Sequence, residues 1–471
     1  MTQNSNMEKI LSYIDGEFID TNNYFTTINP STEKELYKIS IASKDDIDRA
    51  VKSAHRAYQE YKNTTLEERI KYILEFKKSL INHKEEFIKT ITDEMGSPKK
   101  FAEDVHFNVQ LNRIDKYIEE IKKYEFEIKT DNYIILKESF GVCALFTPWN
   151  YPLGQIIQKV IPALLTGNTV CIKPSRVTPK TAYLVAKCFS ETSIPKGVVN
   201  LLLGRGNEIG DKLSSHPLVR KVSFTGSTDG GRAILAKSGL KKTTMELGGK
   251  SPALVLNKDY IKIAAEKIAS SIFLNSGQTC SSLSRAIVLE ELYDEFVKLI
   301  LEESQKYTVG DPNSDNLLGP VATQKQYDKI IDYLNLGKKE GASLVLGEEN
   351  LSKKKSIGYY IQPSIFTEVK NTYKIAQEEI FGPVLCVIKA KDIDDAINIA
   401  NESDFGLFGA VFAKRELAIK IAKEIYTGGL TINESDGVTG TPFGGYKDSG
   451  YGREGGKYGI DEYVQLKSIE F

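Results

Sequence analysis

The sequence predicts an α/β protein with parallel sheets and more than one domain. Its 471 residues exceed what one hydrophobic core usually supports. From Gly141 onward, short β-branched apolar runs alternate with helical segments, which is typical of βαβ units. The runs lie at 142–146, 168–172, 198–203, 222–225 and 251–256, and then at 285–289, 342–346 and 384–390.

Three other stretches have their own patterns. Residues 45–120 repeat apolar side chains every three or four positions, which predicts amphipathic helices. Residues 121–140 alternate on either side of a Thr-Asp-Asn turn, which predicts a β-hairpin. The last ten residues alternate as well and predict a strand that would be a sheet edge if unpaired.

Composition and charge exclude several classes of protein. The 62 Lys and Arg residues balance 63 Asp and Glu, so no basic excess indicates nucleic-acid binding. No apolar run approaches the roughly 18 residues of a membrane helix, so no membrane partner is expected. The five cysteines form no CxxC pair, and the four histidines have no metal-ligand spacing. We therefore expect a reduced, cytoplasmic protein that requires no metal.

One cysteine differs from the others in its surroundings. Cys143, Cys171 and Cys386 lie in apolar strand-like runs, and Cys188 lies in a helical segment. Cys280, in Asn-Ser-Gly-Gln-Thr-Cys-Ser-Ser, is flanked by small polar residues. A reactive thiolate needs such a polar, accessible site, so Cys280 is a candidate nucleophile. A cysteine in a surface turn is the alternative.

Two glycine-rich loops are candidates for phosphate binding, although no GxGxxG is expected to open a helix after a strand, as the usual dinucleotide fingerprint does. They lie at 203–210 and 224–231, each after a predicted strand and before a predicted helix. Free N–H groups at a helix N-terminus attract phosphate. Each loop taken alone is equally well explained as an ordinary βα turn.

Eight short motifs in order identify the family that the chain resembles. They begin at Asn29 (NPST), Thr147 (TPWNYPL), Lys173 (KPS), Phe224 (FTGST), Met245 (MELGGKSP), Gly277 (GQTC), Glu378 (EEIFGPV) and Pro442 (PFGGYKDSGYGRE). Over essentially its whole length, the chain resembles the aldehyde dehydrogenase superfamily, in its non-acylating, hydrolytic branch. The resemblance implies a Rossmann-like cofactor domain, a related α/β catalytic domain and a small β oligomerisation element. The implied bounds are 1–120 and 140–246 for the cofactor domain, 247–430 for the catalytic domain, 121–139 and 457–471 for the oligomerisation hairpin and C-terminal strand, and 431–456 for a bridging active-site loop.

The resemblance implies oxidation of an aldehyde to a carboxylic acid with reduction of NAD(P). Cys280 would attack the aldehyde to give a thiohemiacetal and then a thioester. Asn150 would donate to the oxyanion, and Glu246 would activate the hydrolytic water. Because relatives that transfer the acyl group to coenzyme A generally lack this acid, Glu246 favours hydrolysis. The alternatives are an acyl-transferring enzyme and a catalytically silent binding or structural member of the fold.

Cofactor contacts follow from the same motifs. Where NAD-specific members usually have Glu, three residues after Lys173, this chain has Arg176. A guanidinium can pair with a 2′-phosphate, so NADP is expected to be accepted, whereas a solvent-facing Arg176 would leave NAD binding unchanged. The residues that the resemblance places at the cofactor are Trp149, Lys173, Ser175, Arg176, Gly206, Gly210, Phe224, Gly226, Ser227, Glu379 and Phe381.

The substrate and the assembly are less well defined by the motifs. The expected pocket residues are Tyr151, Gln158, Thr279, Ser281 and Phe443. They suit a medium-sized, partly polar or aliphatic small-molecule aldehyde and do not select one. By resemblance, the expected assembly is a homodimer or homotetramer formed through the hairpin and the C-terminal strand.

Overall fold

The computed structural model describes residues 7–352 and 357–471. Residues 1–6 and 353–356 of the predicted domains lie outside the described residues. The α-helices are α1 (Lys44–Tyr61), α2 (Leu66–Asn82), α3 (Lys84–Met95), α4 (Lys99–Phe101), α5 (Val109–Ile121), α6 (Pro152–Leu165), α7 (Pro179–Ser190), α8 (Gly206–Ser215), α9 (Thr228–Ser238), α10 (Ile261–Phe273), α11 (Tyr293–Ser304), α12 (Gln324–Glu340), α13 (Glu349–Ser352), α14 (Lys374–Gln377), α15 (Ile393–Asn401), α16 (Arg415–Ala422) and α17 (Gly456–Asp461).

The strands run through the whole chain. They are β1 (Lys9–Ile10), β2 (Ser12–Ile14), β3 (Glu17–Ile19), β4 (Tyr24–Ile28), β5 (Glu35–Ser40), β6 (Glu127–Lys129), β7 (Tyr133–Ser139), β8 (Val142–Thr147), β9 (Thr169–Pro174), β10 (Val199–Leu201), β11 (Val219–Thr225), β12 (Lys242–Glu246), β13 (Ser251–Val255), β14 (Leu283–Leu289), β15 (Ser343–Leu346), β16 (Ser364–Thr367), β17 (Val384–Ala390), β18 (Phe405–Gly406), β19 (Ala410–Phe412), β20 (Thr431–Ile432), β21 (Tyr446–Lys447), β22 (Gly450–Tyr451) and β23 (Val464–Glu470). Each apolar run named above overlaps one of these strands, so the predicted strands are confirmed.

The first large sheet has a parallel centre. In the described residues its strand order is β22-β12-β11-β8-β9-β10-β2-β3, and β12 through β10 are parallel. Strands β8 and β9 are buried along their whole length, because helices cover both faces of the sheet. The α/β class is confirmed. Strand β22 lies inside the segment predicted to bridge the domains but joins this sheet, and the domain bounds stay a prediction.

The second large sheet repeats this architecture. Its order in the described residues is β15-β16-β17-β14-β13-β19-β20, parallel except for β15. Helix α10 packs on its strands and shares a buried apolar cluster with them. Residues 247–250 connect β12 of the first sheet directly to β13 of the second. This short connection brings the two sheets edge to edge.

The predicted hairpin forms a small third sheet with the C-terminal strand. Strands β6 and β7 pair antiparallel, and β23 pairs with β7 over seven residues, from Val464 opposite Ser139 to Glu470 opposite Tyr133. The strand predicted for the last ten residues is confirmed by β23. Helix α17 at 456–461, just before it, was not indicated by the sequence patterns, and the bounds of the oligomerisation element stay a prediction.

The N-terminal region contains strands that the sequence patterns did not indicate. Strands β2 and β3 extend the first large sheet, and β1, β4 and β5 form a separate sheet. The helical reading of 45–120 is confirmed. Helix α1 begins with a capping box in which Ser43 and Asp46 exchange hydrogen bonds, and α2 begins with the same arrangement at Thr65 and Glu68. Within 7–352 and 357–471, no helix combines the length and apolarity needed to cross a membrane.

Candidate active site

The candidate site lies where the two large sheets meet. Glu246 is the last residue of β12, and Asn150 follows the end of β8 at the same carboxyl edge. Cys280 precedes β14, at the amino edge of the second sheet. A Cβ at Gly249, in the connection between the sheets, would lie 2.4 Å from the carbonyl oxygen of Cys280. Only glycine permits this approach, so the connection passes directly beside the cysteine.

The loop before Cys280 has a strained backbone. Asn275 and Ser276 have φ values of 55° and 54°, and Gly277 has 72°. Non-glycine residues rarely adopt this left-handed region, and such strain often occurs at functional sites. A Cβ at Gly277 would lie 2.1 Å from the carbonyl carbon of Gly382. The backbone of the loop is therefore also in close contact with the segment before β17.

Hydrogen bonds hold this loop against Asn150. The Asn150 side-chain amide donates to the carbonyl of Gln278 at 2.9 Å, and Asn275 donates to the carbonyl of Asn150 at 3.0 Å. Gln278 in turn accepts from the N–H of Ala322 at 2.8 Å. An amide nitrogen carries two N–H donors, and the bond to Gln278 uses one of them. Asn150 is therefore buried, fixed in orientation and still able to donate.

Cys280 is half-buried, whereas the other four cysteines are buried. It lines two cavities, a larger cleft and a narrow one that it shares with Glu379. Burial, together with the carboxylates of Glu379 and Glu246, raises the pKa of the Cys280 thiol to about 12. Without a compensating cation or a base, the thiol therefore holds its proton at neutral pH.

Glu246 is a buried acid without a hydrogen-bond partner in the described part of the chain. It is 2% exposed, and neither carboxylate oxygen makes a hydrogen bond. Burial raises the pKa of Glu246 well above its usual value, and the neighbouring Glu454 raises it further. Glu454 forms a buried ion pair with Lys159, whose ammonium also donates to Ser223 at 3.0 Å. A raised pKa makes the carboxylate a stronger base, so this buried acid is a candidate for proton transfer.

Sequence reasoning missed Lys159 and Glu454. Neither residue type stands out in a chain so rich in charged side chains. Lys159 lies within the helical pattern of α6, and Glu454 lies in a glycine-rich loop. Only the fold brings the two side chains together beneath Glu246.

The larger cleft has a volume of about 400 Å³, within the usual range for small-molecule sites. Every predicted pocket residue lines it, namely Tyr151, Gln158, Thr279, Ser281 and Phe443. The hydroxyl groups of Tyr151 and Thr279 lie 2.8 Å apart. Residues 102–108 on one wall form a π-helix, a feature that the sequence did not predict and that is frequent at functional sites.

The predicted adenosine-side residues lie at the ends of β9 and β11. Lys173 is buried and donates to the carbonyl of Pro174, and burial followed by the charge of Arg176 lowers its pKa to about 8. Ser175 accepts from the N–H of Val177, and Arg176 is exposed. The Lys173 and Arg176 cations therefore lie close enough to repel each other.

The loop after β11 forms a tight turn into α9. A Cβ at Gly226 would lie 2.7 Å from the ring of Phe224, so only glycine lets the backbone cross this ring. The Ser227 hydroxyl caps α9 by accepting from the N–H of Gly230, and the buried Thr225 hydroxyl has no partner among the described residues. The free N–H groups at the N-terminus of α9, beside this glycine turn, suit a pyrophosphate.

The other glycine loop fits a cofactor less clearly. Gly206 is exposed and begins α8. A Cβ at Gly210 would lie 3.3 Å from the side chain of Ile234 on α9, so Gly210 serves the packing of two helices. Cofactor contacts for these two glycines stay a prediction.

Glu379, Phe381 and Trp149 come together beside Cys280. Glu379 accepts from the N–H of Gly249 at 3.0 Å, and burial raises its pKa. The rings of Trp149 and Phe381 meet edge to face at 5.5 Å. Phe381 has a φ of 62°, and its carbonyl accepts from Gln326 at 2.9 Å. The strain at Phe381 is thus supported by a side chain from another helix.

Together these features define an α/β enzyme with a cysteine between a dinucleotide-type sheet and a substrate cleft. The profile of the aldehyde dehydrogenase family matches residues 18–469. The chain belongs to the aldehyde dehydrogenase family, which confirms the predicted fold and class of enzyme.

Individual relatives agree with this assignment. A provisionally named aldehyde dehydrogenase of Staphylococcus aureus is 41% identical over 463 residues, covering 97% of this chain and 98% of the relative. Aldehyde dehydrogenase C from Pseudomonas syringae, solved as a cysteine-to-alanine mutant with NAD⁺ and octanal, matches with a TM-score of 0.94 and 35% identity, covering 98% of this chain and 96% of its own. Betaine aldehyde dehydrogenase from Staphylococcus aureus, solved with NAD⁺, matches with a TM-score of 0.91 and 32% identity, covering 98% and 94%.

Gly277→Ala tests whether the close approach of the Cys280 loop is required. The new Cβ would meet Gly382 and adopt an unfavourable φ, so we expect a loss of stability of about 2–4 kcal/mol and a displaced Cys280. Gly239→Ala is a matched control, because Gly239 has a φ of 61° and nothing within 4 Å of the added Cβ. Calorimetric melting and Cys280 alkylation rates would be measured for both variants. Equal losses in the two variants would contradict the steric argument.

Proposed function

We propose that the protein oxidises an aldehyde to its carboxylic acid through a covalent intermediate on Cys280. The observation that carries this proposal is the position of Cys280 between the substrate cleft and the narrow cavity at Glu379. A nucleophile there can attack an aldehyde on one side and present the adduct to a cofactor on the other. The placement of Glu246 and Asn150 beside it supports the same reaction.

In the first step, Cys280 loses its proton and its sulfur forms a bond to the aldehyde carbon. The carbonyl π-electrons move to oxygen and give a thiohemiacetal oxyanion. The raised pKa of the thiol means that this proton must pass to a base in the solvent of the cleft as the sulfur attacks. The free N–H of Asn150 and the backbone N–H of Cys280 are the proposed donors to the oxyanion.

Residues at the ends of β9 and β11, together with Glu379 and Phe381 at the second cavity, fit a nicotinamide dinucleotide. The glycine turn at Gly226, the α9 N-terminus at Ser227 and the buried Thr225 hydroxyl suit its pyrophosphate, and Lys173 and Glu379 suit its two riboses. When bound, it supplies the acceptor for the hydride that the thiohemiacetal carbon gives up. The proposed role of Phe381 and Trp149 is to bound the nicotinamide end and to exclude water.

In the last step, water attacks the thioester carbon and Glu246 takes a proton from that water. The carbon–sulfur bond breaks, the acid leaves and Cys280 regains a proton. Its surroundings support this role, because burial and then the charge of Glu454 raise the pKa of Glu246 and make it a stronger base, while Lys159, which is paired with Glu454, limits the shift. Glu246 also favours water over coenzyme A as the acceptor. The intact set of three residues weighs against a catalytically silent protein.

Glu246→Gln tests the two-stage reaction. We expect a burst of about one reduced cofactor per subunit, followed by a steady-state rate about 10²–10⁴-fold below that of the wild type, because the general base is gone. Stopped-flow absorbance of the reduced cofactor measures both phases. Mass spectrometry of the quenched protein should find the acyl adduct on Cys280.

The pH profile provides a second readout. Because the pKa of Glu246 is raised, its base form grows as pH rises, so the wild-type steady-state rate should increase with pH and lose this dependence in Glu246→Gln. Glu416→Gln, on the exposed face of α16, is the control and should behave as the wild type. An unchanged rate in Glu246→Gln, or an adduct on another side chain, would contradict the proposal.

For the cofactor, we propose that NADP is accepted beside the NAD⁺ that the relatives bind. Arg176 is exposed near Lys173, and no carboxylate among the described residues lies within ion-pair distance of it. A free guanidinium three residues after Lys173 can pair with a 2′-phosphate in a bidentate manner.

Arg176→Gln tests this proposal. We expect kcat/KM for NADP to fall about 10–100-fold and that for NAD to change little, because charge-assisted hydrogen bonds to the phosphate are lost. The same assays on Arg415→Gln, which removes an exposed guanidinium from α16, control for net charge. A strong wild-type preference for NAD with no effect of Arg176→Gln would reject the idea.

For the assembly, we propose a homodimer or homotetramer formed through β23. This strand is an edge of the third sheet, and its end exposes Leu466 (72%), Ile469 (42%) and Phe471 (67%). Open strand edges with apolar side chains favour pairing with another strand.

Leu466→Glu tests the assembly. The added charge should weaken the contact and shift the mass measured by light scattering toward the monomer at micromolar concentration. Leu240→Glu is the matched control, because Leu240 is fully exposed in a loop before β12. A monomeric wild type, or identical masses for the wild type and Leu466→Glu, would count against this surface.

A further inference from the structure

Arg113 gives the substrate cleft a positive charge that the reaction described above does not use. It lies on α5, is half-buried and lines the cleft that contains Cys280. Apart from Lys116 and Asp436, the described residues that line the cleft with it are uncharged, among them Gln155, Gln158 and Val109. Arginine is protonated at all relevant pH values, so this charge is permanent.

The guanidinium is only partly hydrogen-bonded. Its Nη1 donates to the side-chain oxygen of Gln110 at 2.6 Å and to the carbonyl of Gly154 at a long 3.5 Å. A guanidinium has five N–H donors, and Nε and Nη2 make no bond within residues 7–352 and 357–471. These two nitrogens form the planar fork that arginine uses to hold carboxylates.

A buried arginine with a purely structural role looks different in this same chain. Arg285 is completely buried, and its three nitrogens donate to the carbonyls of Lys250, Ile399 and Ala400 and to the side chain of Asn371. Each nitrogen of that guanidinium is hydrogen-bonded to the protein, so none is left for a ligand. Arg113 instead lines a cleft, and its Nε and Nη2 remain available as donors.

No acid within the described residues neutralises Arg113. None lies within the 4.0 Å that defines an ion pair. Glu454 attracts it from a distance but is engaged by Lys159, and Asp436 at another part of the cleft is paired with Lys267 at 2.5 Å. Burial lowers the pKa of Arg113, which indicates a poorly solvated charge. A charge in such a site gains most from a bound anion.

The position of Arg113 is fixed by its neighbours. Gln110 donates to the carbonyl of Val105 in the π-helix at 3.0 Å while its oxygen accepts from Arg113. A Cβ at Gly154 would lie 3.1 Å from the Gln110 amide, so glycine lets α5 and α6 approach closely here. The guanidinium is therefore oriented before any ligand arrives, which reduces the entropic cost of binding.

The size of the cleft limits the length of the substrate. Arg113 and Cys280 line the same cleft, whose volume is about 400 Å³. A cavity of this volume holds a small molecule, so a substrate that reaches from the cysteine to the guanidinium is short.

We propose that Arg113 binds a carboxylate at the end of the substrate opposite the aldehyde, so that short semialdehydes are the preferred substrates. The inference rests on the proposed aldehyde oxidation and adds the class of substrate. The two free nitrogens of the guanidinium match the two oxygens of a carboxylate. The other lysine or arginine that lines this cleft, Lys116, is paired with Glu119 at 2.7 Å, so the cleft offers one unpaired positive charge, which suits a singly charged carboxylate better than a doubly charged phosphate.

The test compares pairs of aldehydes of equal chain length. Succinic semialdehyde is paired with butanal, and glutaric semialdehyde with pentanal. We expect the wild type to favour at least one semialdehyde over its neutral partner in kcat/KM by about tenfold or more. In Arg113→Met this ratio should fall about 10–100-fold, mainly through KM, because the contact is present in both ground and transition states. Arg113→Lys keeps the charge but loses the fork and should be intermediate.

Two further measurements keep the result unambiguous. Lys122→Met removes an exposed cation at the end of α5 and should leave the ratio unchanged. Raising the salt concentration should reduce the wild-type ratio, since screening weakens an ionic contact. If Arg113→Met does not fold, as judged by its melting temperature, the inference is tested by the ratio in Arg113→Lys and by its dependence on salt concentration.

The outcomes separate this inference from the proposed function. Equal kcat/KM values for semialdehydes and neutral aldehydes, with no change in the ratio in the Arg113 variants or with salt, would overturn the inference while aldehyde oxidation stands. A phosphate-bearing aldehyde preferred over both semialdehydes, in an Arg113-dependent way, would overturn the carboxylate assignment. Failure of the wild type to reduce either cofactor with any aldehyde would instead overturn the proposed function.

Discussion

The close approach of Gly249 to the backbone of Cys280 is the constraint on which the site depends. The chain crosses from β12 to β13 in four residues, and a side chain at Gly249 would collide with the carbonyl oxygen of Cys280. Because this crossing is so short, the carboxyl edge of one sheet meets the amino edge of the other. Glu246 and Asn150 from the first sheet therefore lie beside the cysteine of the second. A longer crossing would separate the acid from the nucleophile.

The same closeness determines the electrostatics. Cys280, Glu246 and Glu379 are acidic groups in a poorly solvated site, and the two carboxylates raise the cost of ionising the cysteine. Buried ammonium groups oppose this charge: Lys159 is paired with Glu454 and lowers the pKa of Glu246, and Lys250 lowers that of Glu379. Protons are consequently held tightly but can be exchanged among neighbours. A site of this kind favours ionisation of the cysteine only when a positive charge or a base is at hand, which limits unwanted reactions of a free thiolate.

Sequence patterns predicted the sheets, the hairpin and the C-terminal strand because each is encoded locally, whereas most of the site residues came from the family motifs. The strand from Val384 to Ala390 is apolar except for Lys389, and Cys280 lies in a short polar motif. The patterns missed what depends on tertiary contacts. Strands β1 to β3 have only two or three residues each, and the π-helix at 102–108 needs contacts with α6 and α3. Helix α17, just before the C-terminal strand, begins where two left-handed glycines at 455 and 456 redirect the chain.

Backbone strain concentrates where the proposed chemistry takes place. Asn275, Ser276 and Phe381 adopt left-handed conformations that cost roughly 1–3 kcal/mol each, and all three lie within a few residues of Cys280 or Glu379. The cost is offset by contacts that no local pattern reveals, such as the donation of Asn275 to Asn150 and of Gln326 to Phe381. Strain held by long-range hydrogen bonds keeps a loop in one conformation, since relaxing any residue would break several bonds together. The fold thus accepts a loss of stability in exchange for a fixed position of Cys280 between its two cavities. The proposed reaction requires this rigidity, because one sulfur atom must contact the substrate and lie beside the cofactor.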